Sequence, residues 1–147
     1  MLGLGLSLAP IGSFLTVTGE FKLLPVLFSL MVLTWVSGFD IIYALQDEGF
    51  DRSQNLHSIP ARFGIKGALN ISNLLHICTT ALVITAGFLG HFSWLYWLGA
   101  LIYISMLVYQ HLLVKSNDLS KVNIAFMNTN SLASICFAVC TILSLIF

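Results

Sequence analysis

The charged residues of this chain are so few, and so unevenly placed, that they dictate its architecture. Met1–Gly19, Leu23–Phe39, Gly67–Val114 and Val122–Phe147 contain no Asp, Glu, Lys or Arg. The third of these blocks divides near Gly90–Ser93. A helix that crosses the hydrocarbon core of a bilayer needs about 20 mostly apolar residues. The blocks therefore predict five transmembrane helices, at about 2–18, 23–46, 67–89, 93–114 and 121–146. Backbone polar groups in lipid must be satisfied within the protein, which leaves helices or a closed barrel. The runs lack the period-2 alternation of barrel strands, so the expected fold class is an all-α integral membrane bundle.

Composition closes the other routes. Charged residues are 8% of the chain, apolar residues 58%, and the mean hydropathy is +0.95. A soluble domain carries about 25% charged residues. The net charge is zero, which removes the electrostatic footprint of a nucleic-acid-binding protein. The N-terminus does not read as a secretory signal: no basic segment precedes Leu2–Leu8, and Pro10 and Gly12 interrupt the run. A first helix that opens at once, without a polar leader, is what a chain cut inside a larger membrane domain would present. Gly5, Ala9 and Ser13 recur every four residues and predict a close helix contact. Cys78, Cys136 and Cys140 fall inside expected helices and read as small apolar residues, with no disulfide, zinc or redox site.

Loop charge sets the orientation. Arg52, Arg62, Lys66, Lys115 and Lys121 share one side of the predicted bundle, and Lys22 stands alone on the other. The positive-inside rule places the five-cation side in the cytoplasm. On that side, Asp40–Lys66 holds seven of the twelve charged residues. Asp40 lies at the end of an apolar run, where a carboxylate is costly and points to function. Asp47 and Asp51 come after it at offsets that, on a continuous helix, return to within roughly 20° of Asp40. Three carboxylates on one stripe repel one another unless a cation lies between them. Mg²⁺ takes hard oxygen ligands and commonly shares them with substrate phosphates. Arg52, Arg62 and Lys66, with Ser58 and His57, stand close by in sequence to meet phosphate oxygens. His111, Asn123, Asn128 and Asn130 are read as interhelical hydrogen-bonding residues or parts of a pocket floor. Asp118 with Lys121 is read as a helix N-cap with a first-turn neighbour.

The stretch Gly38-Phe39-Asp40-Ile41-Ile42-Tyr43-Ala44, with Asp47 and Asp51, fills every fixed position of D-x-x-Y-A-x-x-D-x-x-x-D. It resembles the second Asp-rich motif of the UbiA superfamily of aromatic prenyltransferases. Leu56–Gly64 resembles the loop downstream of that motif in the 4-hydroxybenzoate polyprenyltransferase-like branch. The resemblance runs over essentially the whole chain, as the C-terminal half of a nine-helix domain.

It implies that Asp40, Asp47 and Asp51 hold Mg²⁺ against a polyprenyl diphosphate, with Tyr43 and Asp47 at the catalytic centre. Arg62, Lys66 and Ser58 would meet the diphosphate, and Phe39, Tyr43, Tyr109 and Phe126 would line the cavity. Asn55 departs from a frequent Gly, yet Asn tolerates the left-handed conformation such a turn needs.

The implied reaction moves a polyprenyl group to a hydroxylated aromatic acid in quinone biosynthesis, at the inner (plasma) membrane. The family's first motif, N-D-x-x-D-x-x-x-D, does not occur in the sequence. The chain alone is therefore expected to be inactive, its partner being a missing N-terminal half. A non-catalytic membrane protein or assembly partner built on the same fold is the alternative. A cation-conducting module would need further intramembrane charges.

Overall fold

The computed structural model describes residues 2–147, and the described chain is helical. Helix α1 spans Leu2–Thr18 and α2 spans Leu23–Ala44. A 3₁₀ turn over Leu45–Asp47 leads into the short α3, Glu48–Ser53. Then come α4, Ile59–Leu89, and α5, Trp94–Leu113. A π-helical segment over Ile124–Thr129 runs directly into α6, Asn130–Ile146. Four of these segments, Leu23–Ser53, Ile59–Leu89, Trp94–Leu113 and Ile124–Ile146, are long and apolar enough to cross a membrane. Helix α1, at 17 residues, is about 25 Å long and just short of a full span. The expected all-α membrane architecture is the one observed.

Helix α1 packs along α2, α2 along α4, and α5 along α6; α4 and α5 join the two groups. Gly3 and Ser7, not the expected Gly5–Ala9–Ser13 stripe, face inward on α1. A Cβ on Gly3 would touch Ser37 Oγ at 3.0 Å, whereas one on Gly5 would meet nothing. Polar side chains tie α2 to α4. Ser72 Oγ donates to the Gly38 carbonyl at 2.7 Å, and Thr34 and Thr79 hydroxyls pair at 2.8 Å. Gly38 is the close-approach point, since any Cβ there would run into the His76 ring.

Helices α5 and α6 meet differently. Gly99 lets Cys140 approach, and Tyr96 and Tyr103 both pack on Phe137.

Two expected helices change shape. The third begins eight residues early, at Ile59, because Ser58 caps its first turn by accepting the Ala61 N–H at 3.2 Å and Pro60 suits a helix start. It kinks at Gly64, whose φ of 70° and ψ of 170° fall in a region essentially reserved for glycine. The fifth opens as a π-helix. Its wider turn breaks the seven-residue phase that would have put Asn123 and Asn130 on one face. Asn123 does cross to a neighbour, accepting from Gln46 Nε2 at 3.0 Å. Asn130 Nδ2 instead donates to its own backbone at Phe126 O. In the turn before this segment, Asp118 accepts the Ser120 N–H at 3.0 Å and the Ser120 hydroxyl at 2.6 Å. Ser120's hydroxyl and N–H hold the Asp118 carboxyl below its ordinary range. The expected Lys121 neighbour makes no ion pair among the described residues.

Candidate active site

The acidic motif occupies the end of α2 and the bend beyond it. Asp40 is half-buried on α2, Asp47 is exposed where the 3₁₀ turn meets α3, and Asp51 is half-buried on α3. A 3₁₀ turn advances each residue by about 120° instead of 100°, so three residues rotate the next helix by roughly 60°. That rotation corrects the single stripe expected from a continuous helix: the three carboxylates fan around the helix end. Among the described residues, no three His, Cys, Asp or Glu side chains gather at one point. The two ion pairs found there, Lys22–Glu20 at 2.9 Å and Arg52–Glu48 at 3.4 Å, leave Asp40, Asp47 and Asp51 out. Their oxygens are hard donors not neutralised by those pairs. This suits Mg²⁺, which is commonly held by one or two carboxylates together with substrate phosphates and water.

Beside the acidic end lies a basic cleft of about 520 Å³, lined by Arg52, Asn55, Leu56, His57, Ala61 and Arg62. Its shape comes from the end of α3. The Leu56 N–H reaches Asp51 O at 2.8 Å and the Asn55 N–H reaches Arg52 O at 3.3 Å. Asn55 sits at φ 54°. This is the Schellman arrangement, with Asn in the left-handed position usually filled by Gly. The departure at Asn55 therefore preserves the turn. The reversal lets Arg52 from α3 and Arg62 from α4 line the same cleft. Lys66 and Ser58 do not line this cleft. Lys66 lies beyond the Gly64 kink, and Ser58 Oγ is engaged as a cap.

An aromatic file runs inward from the acidic end. Tyr43 packs at a tilt against Phe126, 4.3 Å between centroids, and Phe126 meets Phe39 edge-on at 5.4 Å. Phe39 meets Trp35, and Trp35 meets Tyr103, at 5.4 and 5.6 Å. The π-helical segment is what carries Phe126 across to α2. Tyr109 is not in this file; it lies exposed on α5.

A residue that no sequence motif singles out anchors the middle of the bundle. His76 is 3% exposed. Its Nε2 faces Trp35 O at 3.4 Å, and its Nδ1 faces His111 Nε2 at 2.8 Å and Gln110 Nε2 at 3.1 Å. The only signal in the sequence was an imidazole within a block free of charge. Nothing there named its partners on two other helices.

The chain matches the model of the UbiA prenyltransferase family over residues 1–132. It is 31% identical over 98 residues to a 4-hydroxybenzoate octaprenyltransferase of Pseudoalteromonas translucida, covering 67% of this chain and 33% of that protein. It is 27% identical over 138 residues to a 4-hydroxybenzoate octaprenyltransferase of Tolumonas auensis, covering 94% of this chain and 48% of that protein. The chain thus spans between a third and a half of the length of these curated relatives. No solved structure matches it. The motif at the end of α2, the helical membrane architecture and the match over most of its length agree, and the chain belongs to the UbiA prenyltransferase family.

Proposed function

We propose that this chain supplies the second Asp-rich half of an enzyme that moves a polyprenyl group from its diphosphate to a hydroxylated aromatic acid of the 4-hydroxybenzoate type. The product would enter quinone biosynthesis. Three observations support the reading: carboxylates at a membrane helix end that make no ion pair among the described residues, a cleft with two arginines beside them, and an aromatic file leading away from both. The carrying one is the first, because Asp40, Asp47 and Asp51 stand at one membrane helix end and none of them makes an ion pair among the described residues.

In this mechanism one or two of Asp40, Asp47 and Asp51, which do not gather at one point in this half of the domain, would hold Mg²⁺ together with the diphosphate, and the ion when bound would supply Lewis-acid stabilisation of the departing diphosphate. Arg52 and Arg62 receive phosphate oxygens in the cleft, Arg62 in the forked geometry a guanidinium allows. Ser58 holds the first turn of α4, and so Arg62, in place. Lys66 adds positive charge from beyond the kink. The allylic C–O bond breaks, a C–C bond forms to the ring carbon beside the arene hydroxyl, and the displaced ring proton passes to the departing diphosphate. Tyr43, Phe126 and Phe39 present ring faces to the allylic cation and keep water out. On this reading the acidic end would face the cytoplasm at the inner membrane, and the first Asp-rich motif would belong to the N-terminal half of the nine-helix domain.

The test is binding of geranyl diphosphate to the chain in lipid nanodiscs, titrated with and without Mg²⁺. Mg²⁺-dependent binding, weakened at least tenfold in Asp47→Asn and in Arg62→Gln, is expected. Binding that ignores Mg²⁺, or that survives both substitutions, would overturn the assignment. Prenylation by the purified chain at the rate of an intact homologue would show that no second half is required.

A further inference from the structure

The turn that joins α4 to α5 is built around room for aromatic rings. The His91 N–H reaches Phe88 O at 3.3 Å and the Phe92 N–H reaches Gly87 O at 3.4 Å, with His91 at φ 48°. This is a second Schellman arrangement, and its left-handed position is filled by His although Gly90 stands next to it. Gly90 itself sits at φ −81°, a conformation open to any residue. It is needed for space: a Cβ there would run into the Phe92 ring. A Cβ on Gly87 would likewise come within 2.9 Å of the Trp97 ring.

The result is an open cleft of about 460 Å³ lined by Gly87, Phe88, His91, Phe92 and Trp97. Phe88 and Trp97 are inclined at 59°, with centroids 4.9 Å apart, and do not stack face to face. From its kink at Gly64 to Leu89, α4 runs about 38 Å, more than the hydrocarbon core of about 30 Å. The cleft therefore stands at headgroup level, at the membrane boundary opposite the acidic motif. Aromatic belts hold helix ends at such boundaries without choosing a lipid. This group differs in being concave, with two of its rings seated by glycines.

The electrostatics of the cleft favour a cation. The last turn of α4 carries no basic residue, and no hydrogen bond engages the Leu89 or Gly90 carbonyl among the described residues. A helix C-terminus holds partial negative charge, and aromatic faces attract ammonium groups. No carboxylate occurs from Gly67 to Val114, so the cation that fits is a diffuse organic ammonium, not a metal ion. Lys22, in the turn between α1 and α2, is engaged with Glu20 at 2.9 Å and does not line the cleft. His91 adds the opposite preference at one edge. In either neutral tautomer its exposed ring keeps one N–H to donate.

We propose that this cleft holds the headgroup of a zwitterionic phospholipid, its ammonium against Phe88 and Trp97 beside the end of α4, and its phosphate accepting the His91 ring N–H. A phospholipid brings both charges at the separation of one headgroup, and its acyl chains lie where the bilayer already surrounds α4 and α5.

The experiment counts lipids bound to the chain by native mass spectrometry from micelles, with no Mg²⁺ and no prenyl diphosphate present, so its outcome is independent of prenyl transfer. Phosphatidylethanolamine is compared with phosphatidylglycerol, which has the phosphate and lacks the ammonium. The first phosphatidylethanolamine should bind about fivefold more tightly, the scale of one partly desolvated cation–π contact. Trp97→Leu and Phe88→Leu should each bring it to the level of phosphatidylglycerol. Phe88 is 68% exposed, so its replacement leaves the helix packing in place. His91→Gly suits the left-handed position and should weaken both lipids by a similar factor, because both carry the phosphate. Leu101→Ala, equally exposed on α5, should change neither. Equal affinity for the two lipids, selectivity that survives both ring substitutions, or binding untouched by His91→Gly would each overturn the proposal. Displacement of the lipid by an equal concentration of soluble phosphoethanolamine would overturn the lipid as occupant.

Discussion

The α2–α4 pair and the α5–α6 pair are both close helix contacts through a glycine, yet they are held by different physics. Gly38 admits a histidine that hydrogen-bonds across the contact, and Ser72 and Thr79 add two more polar ties. Gly99 admits Cys140, and around it the contact is made of rings, with Tyr103 and Phe137 centroids 5.1 Å apart. In lipid, apolar packing gains no hydrophobic drive, since the surroundings are as apolar as the helix. Packing of that kind tolerates sliding. Directional hydrogen bonds do not, so they fix the register of one helix on the next. The pair with polar register is the one that carries Asp40 and leads to Asp47, where the proposed metal and phosphate chemistry would need positions held closely. The pair with apolar packing supplies the wall.

This contrast can be broken most strongly at Gly38. Gly38→Val would drive its side chain into His76 and separate α2 from α4. A loss of about 3 kcal/mol is expected, at the upper end of overpacking costs, read by unfolding in mixed micelles. Gly99→Val strikes Cys140 Cβ, 2.6 Å from the position of a new Cβ. With no polar network to disrupt, about 1–2 kcal/mol is expected. The two substitutions should also differ in kind. Geranyl diphosphate affinity should fall with Gly38→Val and hold with Gly99→Val; a matching fall in both would erase the distinction. Ser72→Ala removes one register tie and should cost about 0.6 kcal/mol, the average for a hydrogen bond between membrane helices. The smallest effect belongs to neither pair. Asp118 is held below its ordinary carboxylate range by Ser120, so its contribution is present above about pH 3.9 and fades as pH falls through the lower folded value. Asp118→Asn should therefore differ slightly from the parent at neutral pH and match it in acid.

Helix number and type were legible because charge is expensive in lipid, and uncharged runs mark spans whatever the partners are. The acidic motif was legible because its spacing is local. Its geometry was not: the 3₁₀ turn at Leu45–Asp47 rotates the carboxylates apart, and their spacing does not encode the choice between 3₁₀ and α over three residues. The same holds for the π-helical turn that swings Phe126 onto Tyr43 and takes Asn130 off the face of Asn123. Tyr109 was expected beside the other aromatics on its type alone, and the phase of α5 leaves it exposed and out of the aromatic file.

By itself, then, the sequence determined a membrane-spanning all-α chain with a carboxylate motif at one helix end and an Asn-tolerant turn after it, because hydropathy, charge and turn chemistry act between near neighbours. Only the tertiary structure decided that His76, from a run with no charge, would meet Trp35, Gln110 and His111 on two other helices. Those contacts join residues 34 to 41 positions apart, and such meetings are set by how helices pack.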